Sequence, residues 1–241
     1  MKLIEKLQRF GVGRQMRRDW DSRARENALY YVATGNENWD EEAFFASGEK
    51  HVREVITNDL GNICQGKDPA SMKILEIGCG VGRVTRALAA LFGEIHGVDV
   101  SGEMIARARE FLRDYSNVHL HQNNGTDLSF LPEESFDFAY SGLVFQHIPD
   151  RKVIENYVAE VARVLKPGRL FKFQLQGGRV KEIPSNWTSQ LCWWRQQPEQ
   201  TWLGASFSED EAMAMARNSG FDPRFLHGAG TQEFWLWFFK R

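Results

Sequence analysis

The clearest chemistry in the chain lies in a glycine cluster and an acid that follows it. Gly78-Cys79-Gly80-Val81-Gly82 ends the apolar run Lys73–Ile77, and Asp99 ends a second apolar run 21 residues after Gly78. Glycines let a backbone turn sharply and let a ligand approach where a Cβ would block it. An acid at the end of the next strand, about 20 residues on, is placed to accept hydrogen bonds from a ribose diol. Strand, glycine turn, helix, strand and acid together make a nucleotide-binding arrangement. A dinucleotide fingerprint, G-x-G-x-x-G/A, needs a small third residue. Here the third glycine comes one position early, at Gly82, and Arg83 stands at the fingerprint position. Glu76 adds an acid just before the turn. Cys79 has no neighbouring base and is read as a small turn residue. His147, after a later strand, is the candidate general base. The other five histidines, His51, His96, His119, His121 and His227, receive no role.

These residues need a scaffold, and the hydrophobic pattern predicts one. Residues 1–70 read as helical and polar, with a basic stretch from Arg14 to Arg25, aromatics at Trp20, Tyr30, Tyr31 and Trp39, and a helix over 41–60 ended by Gly61. From residue 71, short apolar runs alternate with amphipathic helices. The predicted strands are 73–77, 95–100, 118–122, 136–144, 170–175, 223–226 and 231–239. Ser101 and Asp150 are candidate helix caps, and Ser208 with Glu211 forms a capping box. Alternation of this kind implies βαβ units and a mainly parallel sheet. Only His227-Gly228-Ala229-Gly230 separates the last two runs, too short for a crossover helix, so they should pair antiparallel. The expected architecture is α/β: a Rossmann-like, doubly wound, seven-stranded sheet, mostly parallel with an antiparallel C-terminal strand, plus a helical N-terminal cap. The cap or lid is assigned to 1–70 and the nucleotide-binding domain to 71–241. Residues 177–206, with Trp187, Trp193, Trp194 and Trp202, are expected to be an insertion forming a substrate wall.

Leu75-Glu76-Ile77-Gly78-Cys79-Gly80-Val81-Gly82 resembles the first motif of the class I S-adenosylmethionine-dependent methyltransferases. The likeness extends over about residues 70–241 through Asp99, Ser135-Phe136-Asp137, the stretch Ser141 to His147, and Leu165-Lys166-Pro167-Gly168. It implies S-adenosylmethionine as cofactor. Gly78, Cys79 and Gly80 would pass beside its methionine part, with Glu76 acting indirectly on the turn or the ammonium. Asp99 would hold the ribose, and Val100 and Met104 would flank the adenine. Asn124-Gly125 would meet the adenine edge, with Asp127 as rival, and Ser141 would lie near the methionine end. Arg83 is a candidate for the cofactor carboxylate.

Composition narrows the function. With 42% apolar and 26% charged residues the chain reads as globular, and no apolar run reaches the ~20 residues of a membrane-spanning helix. The net charge of -2 advertises neither nucleic acid nor anionic lipid. Three scattered cysteines and no secretory signal point to a cytoplasmic setting without disulfides, and no metal-ligating cluster is evident. Ser141-Gly142-Leu143-Val144 stands where nucleic-acid amino methyltransferases carry Asn/Asp-Pro-Pro-aromatic, which argues against base methylation. The expected reaction is methyl transfer to a small molecule, apolar or aromatic to suit the aromatic walls, with catalysis mainly by positioning. Three alternatives stay open: an RNA methyltransferase docking through Arg14–Arg25, a non-catalytic cofactor-binding protein, and a nicotinamide-dependent oxidoreductase.

Overall fold

The computed structural model describes residues 2–178, 201–202 and 204–241, with side chains described from Gly11 onward. Most of the predicted insertion, including Trp187, Trp193 and Trp194, lies outside the described residues. Among the described residues seven strands form one sheet: β1 (Lys73–Ile77), β2 (Glu94–Asp99), β3 (Val118–Gln122), β4 (Phe136–Ser141), β5 (Leu165–Leu175), β6 (Phe221–His227) and β7 (Phe234–Lys240). Their order is β3-β2-β1-β4-β5-β7-β6. The first five run parallel, and β7 lies antiparallel between β5 and β6. This is the Rossmann-like sheet expected from the sequence. Ile74, Leu75 and Ile77 are all buried, as befits a strand covered on both faces.

One face packs against α6 (Arg151–Val164) and α7 (Glu209–Asn218), where Leu75, Ile77, Val98 and Phe173 meet Val158, Val161 and Ala216. The other face carries α2 (Glu41–Val55), α3 (Leu60–Cys64) and α4 (Arg83–Ala89). There Val52, Ile56 and Ile63 share a core with Ile74, Ile95 and Phe138. α5 (Gly102–Phe111) follows β2, capped by the Ser101 side chain. The long α1 (Lys2–Val32) loses helical geometry at Asn27 and lies against α5.

Boundaries differ from the sequence reading where a turn needs left-handed backbone. β4 stops at Ser141 rather than Val144, because Leu143 adopts φ 62° and a 3-10 turn follows at Phe145–His147. The last strand starts at Phe234 rather than Thr231. Gly228 and Gly230 sit at φ 76° and 79°, and the Thr231 hydroxyl donates to the Gly228 carbonyl, which takes 228–233 out of the ladder. Gly61 does not end its helix. α2 ends at Val55, and α3 runs on to Cys64, where Gln65 (φ 51°) and Gly66 (φ 82°) turn the chain.

Gly48 lets α2 touch the start of α4: a Cβ there would lie 2.1 Å from the Arg83 carbonyl oxygen. Gly48→Ala gains about 1 kcal/mol of helix propensity but forces two backbones apart. Urea denaturation should show a net loss of about 1–3 kcal/mol. A variant as stable as the parent would mean that α2 is not seated on α4.

Candidate functional site

The strand order reverses direction between β1 and β4, and open α/β sheets bind ligands at such a switch point, beyond the carboxyl ends of the strands. A cavity of about 630 Å³ opens there, inside the ~300–1,000 Å³ range of small-molecule sites. One side is the glycine turn. Gly78 and Gly80 have φ of 76° and 54°, which glycine adopts freely. A Cβ on Gly78 would strike Val144, and one on Gly80 would strike Val32.

Asp99 ties this turn down. Its Oδ2 accepts from the Gly80 N–H at 2.9 Å and its Oδ1 from the Ser101 N–H at 2.8 Å. Burial pushes its carboxyl up to about 6, against the stabilising pull of those two N–H groups. Glu76, buried beside it, accepts from the Thr85 hydroxyl at 2.6 Å. Burial is again the leading cause that raises Glu76 to about 7. Arg83 is buried in the same wall. One of its terminal nitrogens reaches Ser47 at 3.4 Å, and its Nε has no hydrogen-bond partner. A buried cation with an unpaired N–H, near the reluctantly ionising Glu76, can receive a ligand carrying both an anionic and a hydrogen-donating group.

α1 closes the far side. Gly13 and Gly125 meet backbone to backbone, and a Cβ on Gly13 would lie 2.3 Å from the Asn124 carbonyl oxygen. Arg17 donates to the Asn123 carbonyl, and Asp21 accepts from the Ser101 hydroxyl at 2.6 Å and the Glu103 N–H. Arg25 pairs with Glu103, and Arg23 stacks between Trp20 and Trp202 while donating to the Thr201 hydroxyl. Arg17, Arg23 and Arg25 of the basic stretch are therefore committed to contacts within the chain.

The structure gathers Glu76, Gly78, Cys79, Gly80, Asp99, Val100, Met104, Gly125 and His147 onto the cavity wall. Asn124 and Ser141 are not among the lining residues. Asn124 is exposed, its side chain folded back onto Thr126 and Asp127. Its neighbour Asn123 takes the wall position, bonded to the Tyr157 hydroxyl at 2.7 Å. The Ser141 hydroxyl donates to the Ile77 carbonyl and so stitches β4 to β1. His147 donates from Nδ1 to the Trp202 carbonyl at 2.8 Å, since a carbonyl can only accept. Burial lowers its pKa to about 4, so the ring is neutral at pH 7 with Nε2 facing the Gln146 amide at 3.3 Å.

Sequence reasoning passed over His51 and Tyr140. The Tyr140 hydroxyl lies 2.5 Å from His51 Nε2, and both line the cavity. Gly142 leaves room for that hydroxyl, which would lie 2.1 Å from a Cβ. Their pairing depends on α2 docking across the sheet, and no local spacing signals it.

Residues 74–168 match the methyltransferase domain family, and the sheet order is that of the class I S-adenosylmethionine-dependent methyltransferase fold. Among curated proteins, the chain is similar to the demethylmenaquinone methyltransferase of Bacillus licheniformis, at 35% identity over 103 residues, 42% of this chain and 43% of that one. It is similar also to the 2-methyl-6-phytyl-1,4-hydroquinone methyltransferase of Synechocystis, at 33% identity over 42% of this chain and 30% of that one. The chain thus spans less than half the length of either relative. Among solved structures, magnesium protoporphyrin IX methyltransferase from Synechocystis with bound S-adenosylmethionine superposes with a TM-score of 0.64 at 14% identity, covering 95% of this chain and 97% of that one. Among the described residues no helix is long and apolar enough to cross a membrane.

The two raised acids give a pH signature. Asp99 and Glu76 hold protons more tightly in the folded chain than in the unfolded one. Their favourable contribution to folding is complete below about pH 4 and is lost as pH rises through about 6 and 7. A ligand that donates hydrogen bonds to them favours the ionised forms. Affinity for S-adenosylhomocysteine should therefore rise from pH 5 to pH 8 with proton release, seen by calorimetry in buffers of different ionisation enthalpy. Glu76→Gln should remove the upper part of that rise.

Proposed function

We propose that the protein transfers a methyl group from S-adenosylmethionine to a small apolar or aromatic acceptor. The carrying observation is that one cavity joins the glycine turn and its acids to an aromatic chamber formed by Trp20, Tyr31, Tyr140 and Trp202. When bound, the cofactor supplies a methyl group already activated on a sulfonium.

The residues present fit that group. Asp99 keeps a free lone pair on each oxygen after accepting its two N–H bonds and can receive ribose hydroxyls. The unpaired Nε of buried Arg83 suits the carboxylate of the methionine part, and Glu76 suits its ammonium. Val100 and Met104 offer apolar surface to the adenine. Asn123 and Gly125, rather than Asn124, present the polar edge beside it. A dinucleotide pyrophosphate would need a small residue where Arg83 stands, which disfavours the nicotinamide reading. The chamber beyond the turn reaches Gln176 and Gln232, room that a non-catalytic cofactor binder would not need.

Catalysis in this reading comes mainly from positioning, which supplies ~7–11 kcal/mol in well-oriented cases. His147 stays neutral at working pH, with Nδ1 held by the Trp202 carbonyl and Nε2 facing the Gln146 amide, so it shapes the chamber wall in place of the base duty suggested by the sequence. α1 serves as the lid: it crosses the ends of β2 and β3 and excludes water, held by Asp21, Arg17 and Arg25. α2 and α3 belong to the flank of the sheet. A small-molecule acceptor is favoured over RNA, since Arg17, Arg23 and Arg25 of the basic stretch are spent on contacts within the chain.

Two variants test this. Asp99→Ala should lower S-adenosylhomocysteine affinity at least tenfold, the loss of about one charged hydrogen bond. Arg83→Met should weaken S-adenosylhomocysteine by about 10–100-fold yet leave methylthioadenosine, which lacks the amino-acid part, unaffected. Equal losses for both ligands would show that Arg83 acts on the fold and not on a carboxylate. Wild-type protein that binds NAD and not S-adenosylhomocysteine would overturn the reading.

A further inference from the structure

Three histidines without a role in the sequence converge at the free edge of the sheet. β2 and β3 pair in parallel with His96 opposite His119 and Val98 opposite His121. Side chains two residues apart on a strand share a face. Glu94 and His96 on β2 therefore face the same way as His119 and His121 on β3. Glu94 Oε1 lies 2.8 Å from His96 Nε2 and 3.7 Å from His119 Nε2, and the three donor atoms all lie within 4.8 Å of one another. His96 Nδ1 lies 3.0 Å from His121 Nε2.

We propose that Glu94, His96 and His119 form a binding site for a divalent transition metal of the zinc class, with His121 orienting His96 from behind. Two imidazoles and a carboxylate suit Zn²⁺, with water completing four-coordination. Bonds of ~2.0–2.2 Å place the ligand atoms of a tetrahedral site roughly 3.3 Å apart, and the observed contacts of 2.8 and 3.7 Å lie on either side of that value. His119 is about half exposed, with a side-chain exposure of 47%, and has room to close on the ion. A ligating histidine needs its second ring nitrogen held by an acceptor. Here His96 can donate from Nδ1 to His121 Nε2 while its own Nε2 lone pair faces the metal. In the metal-free state the same two contacts serve with the protons reversed: His121 donates to Nδ1 of His96, and Nε2 of His96 donates to Glu94. Each ring stays neutral in both arrangements, so binding changes the tautomers of His96 and His121 and not their charge.

Lys73 is the built-in competitor. Its ammonium lies 2.9 Å from the same Glu94 oxygen. An ammonium and a dication cannot both sit on one carboxylate oxygen at contact distance without strong repulsion, so metal binding displaces Lys73 toward solvent. The site lies at the opposite end of β2 from Asp99, roughly 17 Å away along five residues of strand. It would clamp edge strand β3 to β2 and shares no residue with the cofactor cavity.

The experiment titrates untagged, full-length protein with Zn²⁺ by calorimetry and with Co²⁺ by visible absorption. One equivalent should bind, with the bands of four-coordinate Co²⁺ and no thiolate charge-transfer band. His119→Ala and Glu94→Gln should each weaken binding by about tenfold or more. Lys73→Met should tighten it, because the ammonium that competes for the Glu94 oxygen is gone. Circular dichroism melts of each variant check that the fold persists. Wild-type protein that binds neither ion overturns the proposal. So does a His119→Ala variant that binds Co²⁺ as tightly as wild type, or a thiolate band that moves the metal to a cysteine.

Discussion

The two-pronged grip of Asp99 on the backbone is the contact from which the site is built. One carboxylate oxygen holds the Gly80 N–H and the other the Ser101 N–H. The first bond fixes a turn of glycines in a left-handed conformation that no side chain would stabilise. The second starts α5, whose cap residue, Ser101, in turn binds Asp21 of α1. Turn, following helix and lid helix are thus linked through one side chain. Its burial raises the acid to about 6, so the grip and the protonation state of the site are coupled.

Burial of unlike charges dominates the remaining wall. Glu76, Arg83 and His51 sit close together beneath α2, and each is pushed toward its neutral form because charge is poorly solvated there. Such a wall is costly to keep empty. A zwitterionic ligand, anion toward Arg83 and cation toward Glu76, would supply the charges that the interior lacks. A second buried pair, Lys172 with Asp59, lies nearby; Asp59 also accepts from the Trp237 indole, which anchors the chain following α2 to β5 and β7. The helical flank that presents His51 to Tyr140 therefore rests on a polar contact across the sheet, in addition to its apolar packing.

The aromatic side chains divide by the same logic. Phe136, Phe138, Phe171, Phe173 and Phe238 fill the sheet core. Trp20, Tyr31 and Trp202 gather where α1 crosses the strand ends, around His147. The first group stabilises the fold, and the second shapes a chamber open to a ligand.

The sequence alone determined the sheet, its parallel and antiparallel parts, the glycine turn and Asp99. All of these follow from local periodicity, from turn residues, and from a spacing fixed by one strand-helix-strand unit. It also identified Glu76 and Arg83, which lie within that unit. Tertiary structure decided the rest. Asn123 replaced Asn124 on the wall because Asn124 closes its own turn through Thr126 and Asp127. Ser141 became a strand stitch because its hydroxyl donates to the Ile77 carbonyl of the neighbouring strand. His51 reached Tyr140, and three histidines met at the β2–β3 edge, through docking and strand register. Those contacts join residues 89 and 25 positions apart, and no periodicity within a segment encodes which distant segment will lie against it.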